Sequence, residues 1–353
     1  MTSPVTGPVE RLLIWRMGSI GDAVVALPVF HLLARAFANA ERRVLTNLPV
    51  NGNAAPLQAV LGNSGLVDGY FAYPMGTRNP ARLLGLRHEI ASWRADLAIC
   101  LNEPRSAFAE RRDRMFLRWC GVRRILAVPA EPAAAQEAES QRLAGMVAGI
   151  GKAATGDPAG WRLNLTEAEQ ARADALVRDR MGDRPFIALG IGTKIAINEW
   201  GDDRWRQVLA GLTADRQSLG LVLIGGPDDG ARSRALAENW RGPVVDLCGR
   251  TPPRISAAAI GRARLFLGHD SGPMHLAASV GTPSVVVFST HNPPGRWFPF
   301  GAAHRIFYPG LGWSGGDPVV ERPAAGETEI GHIPAAQVLE ACRAGLAGAE
   351  APA

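Results

Sequence analysis

Apolar positions in this chain come in short unbroken runs, not in alternation with polar ones. Arg11 to Trp15, Arg43 to Thr46 and Asp96 to Leu101 are such runs in the first half. Pro185 to Gly190, Leu221 to Ile224, Val244 to Leu247, Leu265 to Gly268 and Ser284 to Phe288 follow in the second. An unbroken apolar run bounded by turn residues is what a strand buried on both faces requires. Between the runs lie segments with helical character: Ala23 to Phe37, Ala138 to Ile150, Thr166 to Met181, Asp203 to Thr213, a stretch ending near Trp240, Ser256 to Arg262, and Pro334 to Ala347. Strand and helix in alternation predict an α/β chain, each half a doubly wound parallel sheet covered on both faces.

One βαβ unit of the second half, Arg264 to Phe288, is the most sharply marked. A buried strand runs into the polar turn His269-Asp270-Ser271-Gly272. The following helix is opened by Pro273, where a missing N–H costs nothing, and closed at Gly281. The turn leaves N–H groups at the positive end of a helix dipole, which is a site for an anion. Loops at Thr193, Gly225 and Asp270 open toward the same carboxyl edge, where ligands of doubly wound sheets bind. In the first half, Arg16-Met17-Gly18-Ser19-Ile20-Gly21-Asp22 follows the first strand. Ser19 and Asp22 have the spacing of a capping box, so Asp22 is either a helix cap or a working carboxylate.

Length and composition narrow the class. The 353 residues suggest two domains, and 47% hydrophobic with 20% charged residues is ordinary for a globular protein. No apolar run reaches the roughly 18 residues of a membrane span. The start, MTSPVTGPVERLLI, lacks the basic-then-apolar order of a signal peptide, so the cytoplasm is the expected address. The 4 cysteines have no CxxC spacing and the 7 histidines no paired metal spacing, so neither a metal nor a disulfide framework is indicated. A net charge of +5 favours acidic partners such as nucleotides, phosphorylated glycans or an anionic membrane surface, or simply solubility. Between Glu103 and Arg124, Arg105, Arg111 and Arg112 belong to an arginine-rich stretch interleaved with Phe108, Phe116, Leu117 and Trp119. It is either a solvated helix face or an amphipathic surface for phosphates or lipid. Nucleic acid is not expected, because no zinc finger, RNA-binding signature or basic tail is present.

Neither half carries the glycine patterns of dinucleotide or P-loop sites, nor a nucleophile elbow, and no further cofactor is called for. Two sheets about a cleft remain, with an anion site on the second and Asp22 on the first. That suits attack by a hydroxyl, deprotonated by a carboxylate, on a substrate whose leaving group is a diphosphate.

The segment Arg16 to Asp22 followed by Leu27-Pro28, and Asp270 to Ala278 followed by Gly281-Thr282-Pro283, resemble the two signature segments of glycosyltransferase family nine, which includes the ADP-heptose:lipopolysaccharide heptosyltransferases. The resemblance implies a GT-B fold: two Rossmann-like domains facing a central cleft, metal-independent, inverting at the anomeric carbon. It implies residues 1–160 as the acceptor domain, 161–333 as the donor domain, and a helix in 334–353 crossing back to the first domain. By the same resemblance Asp22 is the general base and Ser271 and Gly272 offer diphosphate-binding N–H groups, with Met274 as the next donor. Asp270 and His275 stand at donor positions, Thr193 and Lys194 at donor phosphate, and Asp228 or Asp229 at the ribose. Arg105, Arg111 and Arg112 are candidates for the acceptor. The expected partners are a nucleoside-diphosphate sugar, a glycan or glycolipid acceptor, and the inner membrane surface as a peripheral contact. Asn198 stands where many members carry a lysine two residues before the tryptophan, here Trp200; Lys194 is either its substitute or an exposed loop lysine. The runners-up are a same-fold nucleotide-sugar epimerase or hydrolase and a non-catalytic nucleotide-sugar binding protein.

Overall fold

The computed structural model describes residues 7–48, 54–74, 76, 79–102, 106–127, 136–309, 319–321 and 329–348. These divide into two units, Met1–Asn164 and Leu165–Ala353.

In the first unit β1 (Arg11–Trp15) leads into the short helix α1 (Ile20–Val25) and then α2 (Leu27–Ala36). The continuous helix expected from Ala23 to Phe37 is therefore interrupted at Ala26, where Pro28, without an N–H, sits in the first turn of α2. The remaining elements are β2 (Glu41–Asn47), α3 (Gln58–Leu61), β3 (Gly69–Tyr73), α4 (Pro80–Trp93), β4 (Leu97–Cys100), α5 (Ala107–Trp119), β5 (Arg124–Ala127) and α6 (Glu139–Met146). All five strands are parallel in the order β3-β2-β1-β4-β5. Chain direction across the sheet reverses between β1 and β4, so the loops after those two strands form its switch point.

The second unit runs α7 (Glu167–Met181), β6 (Phe186–Gly190), α8 (Asp202–Asp215), β7 (Gly220–Leu223), α9 (Asp229–Leu236), β8 (Val244–Asp246) and α10 (Pro253–Ile260). It continues through β9 (Leu265–His269), α11 (Gly272–Ser279), β10 (Ser284–Val287), β11 (His304–Phe307), β12 (Val319–Glu321) and α12 (Ala335–Gly348). Its strands are parallel in the order β12-β11-β10-β9-β6-β7-β8. Here the reversal falls between β6 and β9, and the loops after these strands begin at Ile191 and Asp270.

Every residue of β6, β7, β9 and β10 is buried, which accounts for their unbroken apolar runs. The helix expected to cross back to the first domain, α12, is counted with the second unit. Val338, Ala341, Cys342 and Leu346 join the core that Trp205, Leu209 and Leu212 of α8 build, and Arg343 pairs with Asp215 of α8 at 2.8 Å. The apolar stripe of α12 is thus consumed on α8 and the sheet beneath it. Among the described residues no helix is long and apolar enough to cross a membrane.

Leu346 is 3% exposed in that core. Leu346→Ala is expected to cost about 2–5 kcal/mol, the range for a buried leucine that leaves a cavity. Urea unfolding followed by circular dichroism measures it; a loss below about 0.5 kcal/mol would show that α12 does not pack there.

Candidate functional site

At the switch point of the first sheet the chain leaves β1 and makes the turn Arg16 to Ser19. Three successive N–H groups of this turn are taken by side chains: Met17 donates to Asn102 Oδ1 (2.8 Å), Gly18 to Asn47 Oδ1 (2.7 Å) and Ser19 to Asp22 Oδ2 (2.9 Å). This turn is therefore no anion cradle. Gly18 has φ +135°, and a Cβ there would lie 2.2 Å from the Asp22 carboxyl carbon, so only glycine lets the carboxylate fold back on its own helix start. Asp22 occupies the capping-box position. Its other oxygen, Oδ1, lies 3.6 Å from the guanidinium of Arg16, and the side chain keeps 31% of its surface exposed. Arg16 is itself buried and held by the Leu101 carbonyl (2.8 Å) and Glu139 (3.2 Å), and Arg142 binds Glu139 from outside at 2.7 Å. A buried arginine with these fixed acceptors orients Asp22 from behind.

At the switch point of the second sheet, Ser271 is the N-cap of α11 with extended backbone. Its hydroxyl is buried without a hydrogen-bond partner among the described residues. The N–H groups of Ser271 and Gly272 stand at the start of the helix, where no intrahelical acceptor exists. Met274 differs from expectation. Its N–H already donates to the Ser271 carbonyl at 3.2 Å and its side chain is fully buried, because the first turn closes tightly on Pro273. His275 is also buried, edge-on to Trp297 at 6.0 Å, and burial brings its pKa down to about 4. It supports the helix from beneath as a neutral ring.

Asn198 lies under this turn, only 4% exposed. Ser289 donates to its Oδ1 at 2.5 Å and its own amide donates to the Asp270 carbonyl at 3.4 Å. Asn292 donates to Asp270 Oδ2 at 3.4 Å, and Tyr308 in turn donates to the Asn292 carbonyl at 2.9 Å. Burial pushes the Asp270 carboxyl up to about 7, with only the Asn292 amide opposing the shift. Next to it His269 is fully committed: Nδ1 donates to Ile191 O (2.9 Å), while Nε2 accepts from the Trp200 N–H (3.1 Å) and the Trp205 indole (3.2 Å). That tautomer is neutral, and burial lowers its pKa to about 4.

The remaining candidates sit on the loops after β6 and β7. Thr193 makes a local turn, its hydroxyl 3.3 Å from the N–H of Ile195, and Lys194 is exposed beside it. Asp228 is the exposed N-cap of α9. Asp229 accepts from the Gly226 N–H at 2.7 Å, and its carboxylate lies so near Gly192 and Gly225 that a Cβ on either would overlap it. It ties the β6 and β7 loops together. Arg232, between them, is balanced by Glu199 (2.5 Å) and Asp202 (2.7 Å), which raise its pKa further. Arg105 lies outside the described residues. Arg111 and Arg112 are exposed on α5, Arg112 paired with Asp113 at 2.7 Å. Among the described residues no three His, Cys, Asp or Glu side chains are grouped to hold a metal ion.

The sequence pattern missed the side chains that brace the two turns. Arg16 and Asn102 were findable, since each ends a strand at a switch point; Glu139 and Ser289 are brought in from distant segments with no local signal.

Residues 141–310 match the family model described as glycosyltransferase family 9 (heptosyltransferase). That stretch is similar to that family. A lipopolysaccharide heptosyltransferase 3 of Escherichia coli is 31% identical over 156 residues, covering 40% of this chain and 41% of that protein. A second, from Escherichia coli strain K12, is 35% identical over 92 residues, covering 25% and 26%. The matched stretches thus span less than half the length of these relatives. Among solved structures, a family 9 glycosyl transferase of Veillonella parvula DSM 2008 superposes with a TM-score of 0.74 at 17% identity, covering 98% of this chain and 100% of that one. The Escherichia coli ADP-heptose lps heptosyltransferase II gives 0.70 at 16% identity, with 97% and 100% covered. At such identities the likeness establishes the fold, two Rossmann-like domains of the GT-B class. Asn198, expected from the sequence resemblance at a lysine position, is closed over by Ser289 and the Asp270 carbonyl.

Two opposing pH slopes follow. The fold favours neutral Asp270, so the stability it contributes is complete below the ordinary carboxylate range and is lost as pH rises through about 7. His269, His275 and His304, all brought to about 4 by burial, contribute stability above the ordinary histidine range that is lost as pH falls through about 4. Asp270→Asn is therefore expected to raise the urea midpoint over wild type at about pH 8 and to converge with it near about pH 4. Parallel profiles across that window would remove Asp270 from the linkage.

Proposed function

We propose that the chain is an inverting, metal-independent glycosyltransferase that moves a heptose or related sugar from a nucleoside-diphosphate donor, ADP-heptose first among them, to a lipopolysaccharide-type glycan acceptor. The observation that carries this reading is the turn at Ser271: a buried hydroxyl with no partner among the described residues, beside helix-start N–H groups, at the switch point of a parallel sheet. Such a turn suits an anion that supplies several acceptor oxygens, as a diphosphate does. The names of the relatives support the sugar. The similar Escherichia coli heptosyltransferase II is named for ADP-heptose, and heptosyltransferase WaaC, of TM-score 0.62, was solved with ADP.

In the proposed reaction Asp22 takes the proton from the acceptor hydroxyl as its oxygen attacks the anomeric carbon from the face opposite the diphosphate. The bond to the diphosphate breaks, and the charge that develops on the leaving oxygen is met by the Ser271 hydroxyl, the N–H groups of Ser271 and Gly272, and the dipole of α11. Thr193 and Lys194 reach the outer phosphate and Asp229 or Asp228 the ribose. Asp22 is held for its task on both oxygens, by the Ser19 N–H and by Arg16.

Asp22→Asn keeps the hydrogen bond from Ser19 but has no basic oxygen to offer. It is expected to lower turnover with ADP-heptose by at least about 10²-fold while leaving ADP affinity within about twofold. Equal turnover in the variant would remove Asp22 from the mechanism. Failure of ADP, UDP and GDP derivatives alike to raise the melting temperature would remove the donor site itself. For the turn, Ser271→Ala is expected to weaken ADP binding by roughly tenfold, the scale of one hydrogen bond to a charged group. The ligand-free protein should keep or gain stability, since the unpaired hydroxyl is gone. Calorimetry and thermal melts read both; a variant that binds ADP normally would leave the hydroxyl without a ligand.

A further inference from the structure

Helix α5 is inverted relative to an ordinary surface helix: large apolar side chains stand on its outer face. Phe108 is 78% exposed, Met115 61% and Trp119 45%, whereas Leu117 is fully buried in the core of the first unit. At about 100° per residue, the three exposed side chains all fall within about 20° of the direction opposite Leu117. They form a single stripe along the helix, and scattered exposed residues would not line up so. The charges are sorted around it. Arg111 and Arg118 are exposed on one side of the stripe and Arg112 on the other. The acids Glu110 and Asp113 lie within about 40° of Leu117, on the inward side, where they pair with Arg114 and Arg112. The outer surface of α5 is therefore apolar along its centre, with Arg111 and Arg118 along one edge and Arg112, paired with Asp113, along the other.

We infer that this face of α5 is a docking surface for an anionic phospholipid bilayer, on which Phe108, Met115 and Trp119 enter the headgroup and acyl boundary and Arg111, Arg112 and Arg118 meet lipid phosphates. An apolar stripe between flanking arginines matches the layering of such a surface, hydrocarbon beneath a plane of negative charge. A protein partner would cover the same stripe but gives no reason for arginine on both of its edges. Trp119 is steadied for this position: Arg87 of α4 stacks on its ring at 5.7 Å and donates to its carbonyl at 3.2 Å. The inference stands apart from the transfer reaction proposed above and assigns Arg111 and Arg112 to lipid in place of a glycan.

Vesicle flotation of the full chain tests it, with equal parts phosphatidylglycerol and phosphatidylcholine against phosphatidylcholine alone. The wild type should float with the anionic vesicles at low salt, and not with the neutral ones. Phe108→Ser/Met115→Ser/Trp119→Ser should bind at least about tenfold more weakly. Arg111→Gln/Arg118→Gln should lose about fivefold per arginine and show a flatter salt dependence. Both variants should melt within a few degrees of wild type, because the changed side chains lie outside the core. A wild type that stays unbound on anionic vesicles, or a serine variant that binds as well as wild type, overturns the inference. So does a light-scattering dimer that the serine variant converts to a monomer without change in flotation, since the stripe then belongs to a second copy of the chain.

Discussion

Burial of both faces of a parallel sheet is the constraint on which the rest of this protein depends. Strands such as β6 and β9 present nothing to solvent along their length, so no side chain there can do chemistry in water. Polar groups gather instead where strands end and helices begin. In each unit the reversal of winding parts two neighbouring loops at that edge, and the residues of interest stand there: Asp22 after β1, Asn102 after β4, Asn198 after β6 and Ser271 after β9. The placement of these residues follows from topology before any question of chemistry arises.

The two loops use the same geometry in opposite ways. The turn at Met17 to Ser19 fills its N–H groups with protein oxygens and leaves a carboxylate outward. The turn at Ser271 spends the N–H groups of Asp270 and Met274 on protein carbonyls and keeps one buried hydroxyl, that of Ser271, without a partner among the described residues. Beneath the second turn the polar groups are satisfied by neutral partners: amides, hydroxyls and a histidine fixed in one tautomer. A buried network of this type holds its members in one arrangement, since any displaced donor or acceptor has no water to turn to.

Much of the fold was legible because burial on both faces writes unbroken apolar runs. Strands β1, β6, β9 and β10 are read almost to the residue. Strands β3, β5, β11 and β12 went unread: β5 is only half-buried and β3 mixes glycine and tyrosine with apolar residues, and β12, β3 and β5 are edge strands with one neighbour each. The candidate site was legible where local rules act, as in the capping box of Ser19 and Asp22 or the proline at the start of α11. It was not legible where segments distant in sequence meet. Nothing near Asn198 in the chain announces Ser289, 91 residues away, and nothing near Met274 announces that its N–H turns back on Ser271. The arginines of α5 were visible as a basic stretch, but which of them face outward depends on the burial of Leu117.

The contrast between a turn built from side chains in one unit and a turn at a helix start in the other has a consequence for how such a chain can diverge. A unit that holds a ligand by backbone N–H groups is tolerant of side-chain change, because the groups doing the holding are common to every residue but proline. The turn that holds Asp22 depends on a set of named side chains, Arg16, Asn47, Asn102 and Glu139, and on the glycine at 18. Drift in the first kind of unit is gradual, whereas drift in the second meets resistance at a few positions and freedom everywhere else. The family model's match begins at residue 141 and runs through most of the second unit, the unit that contains the turn at Ser271.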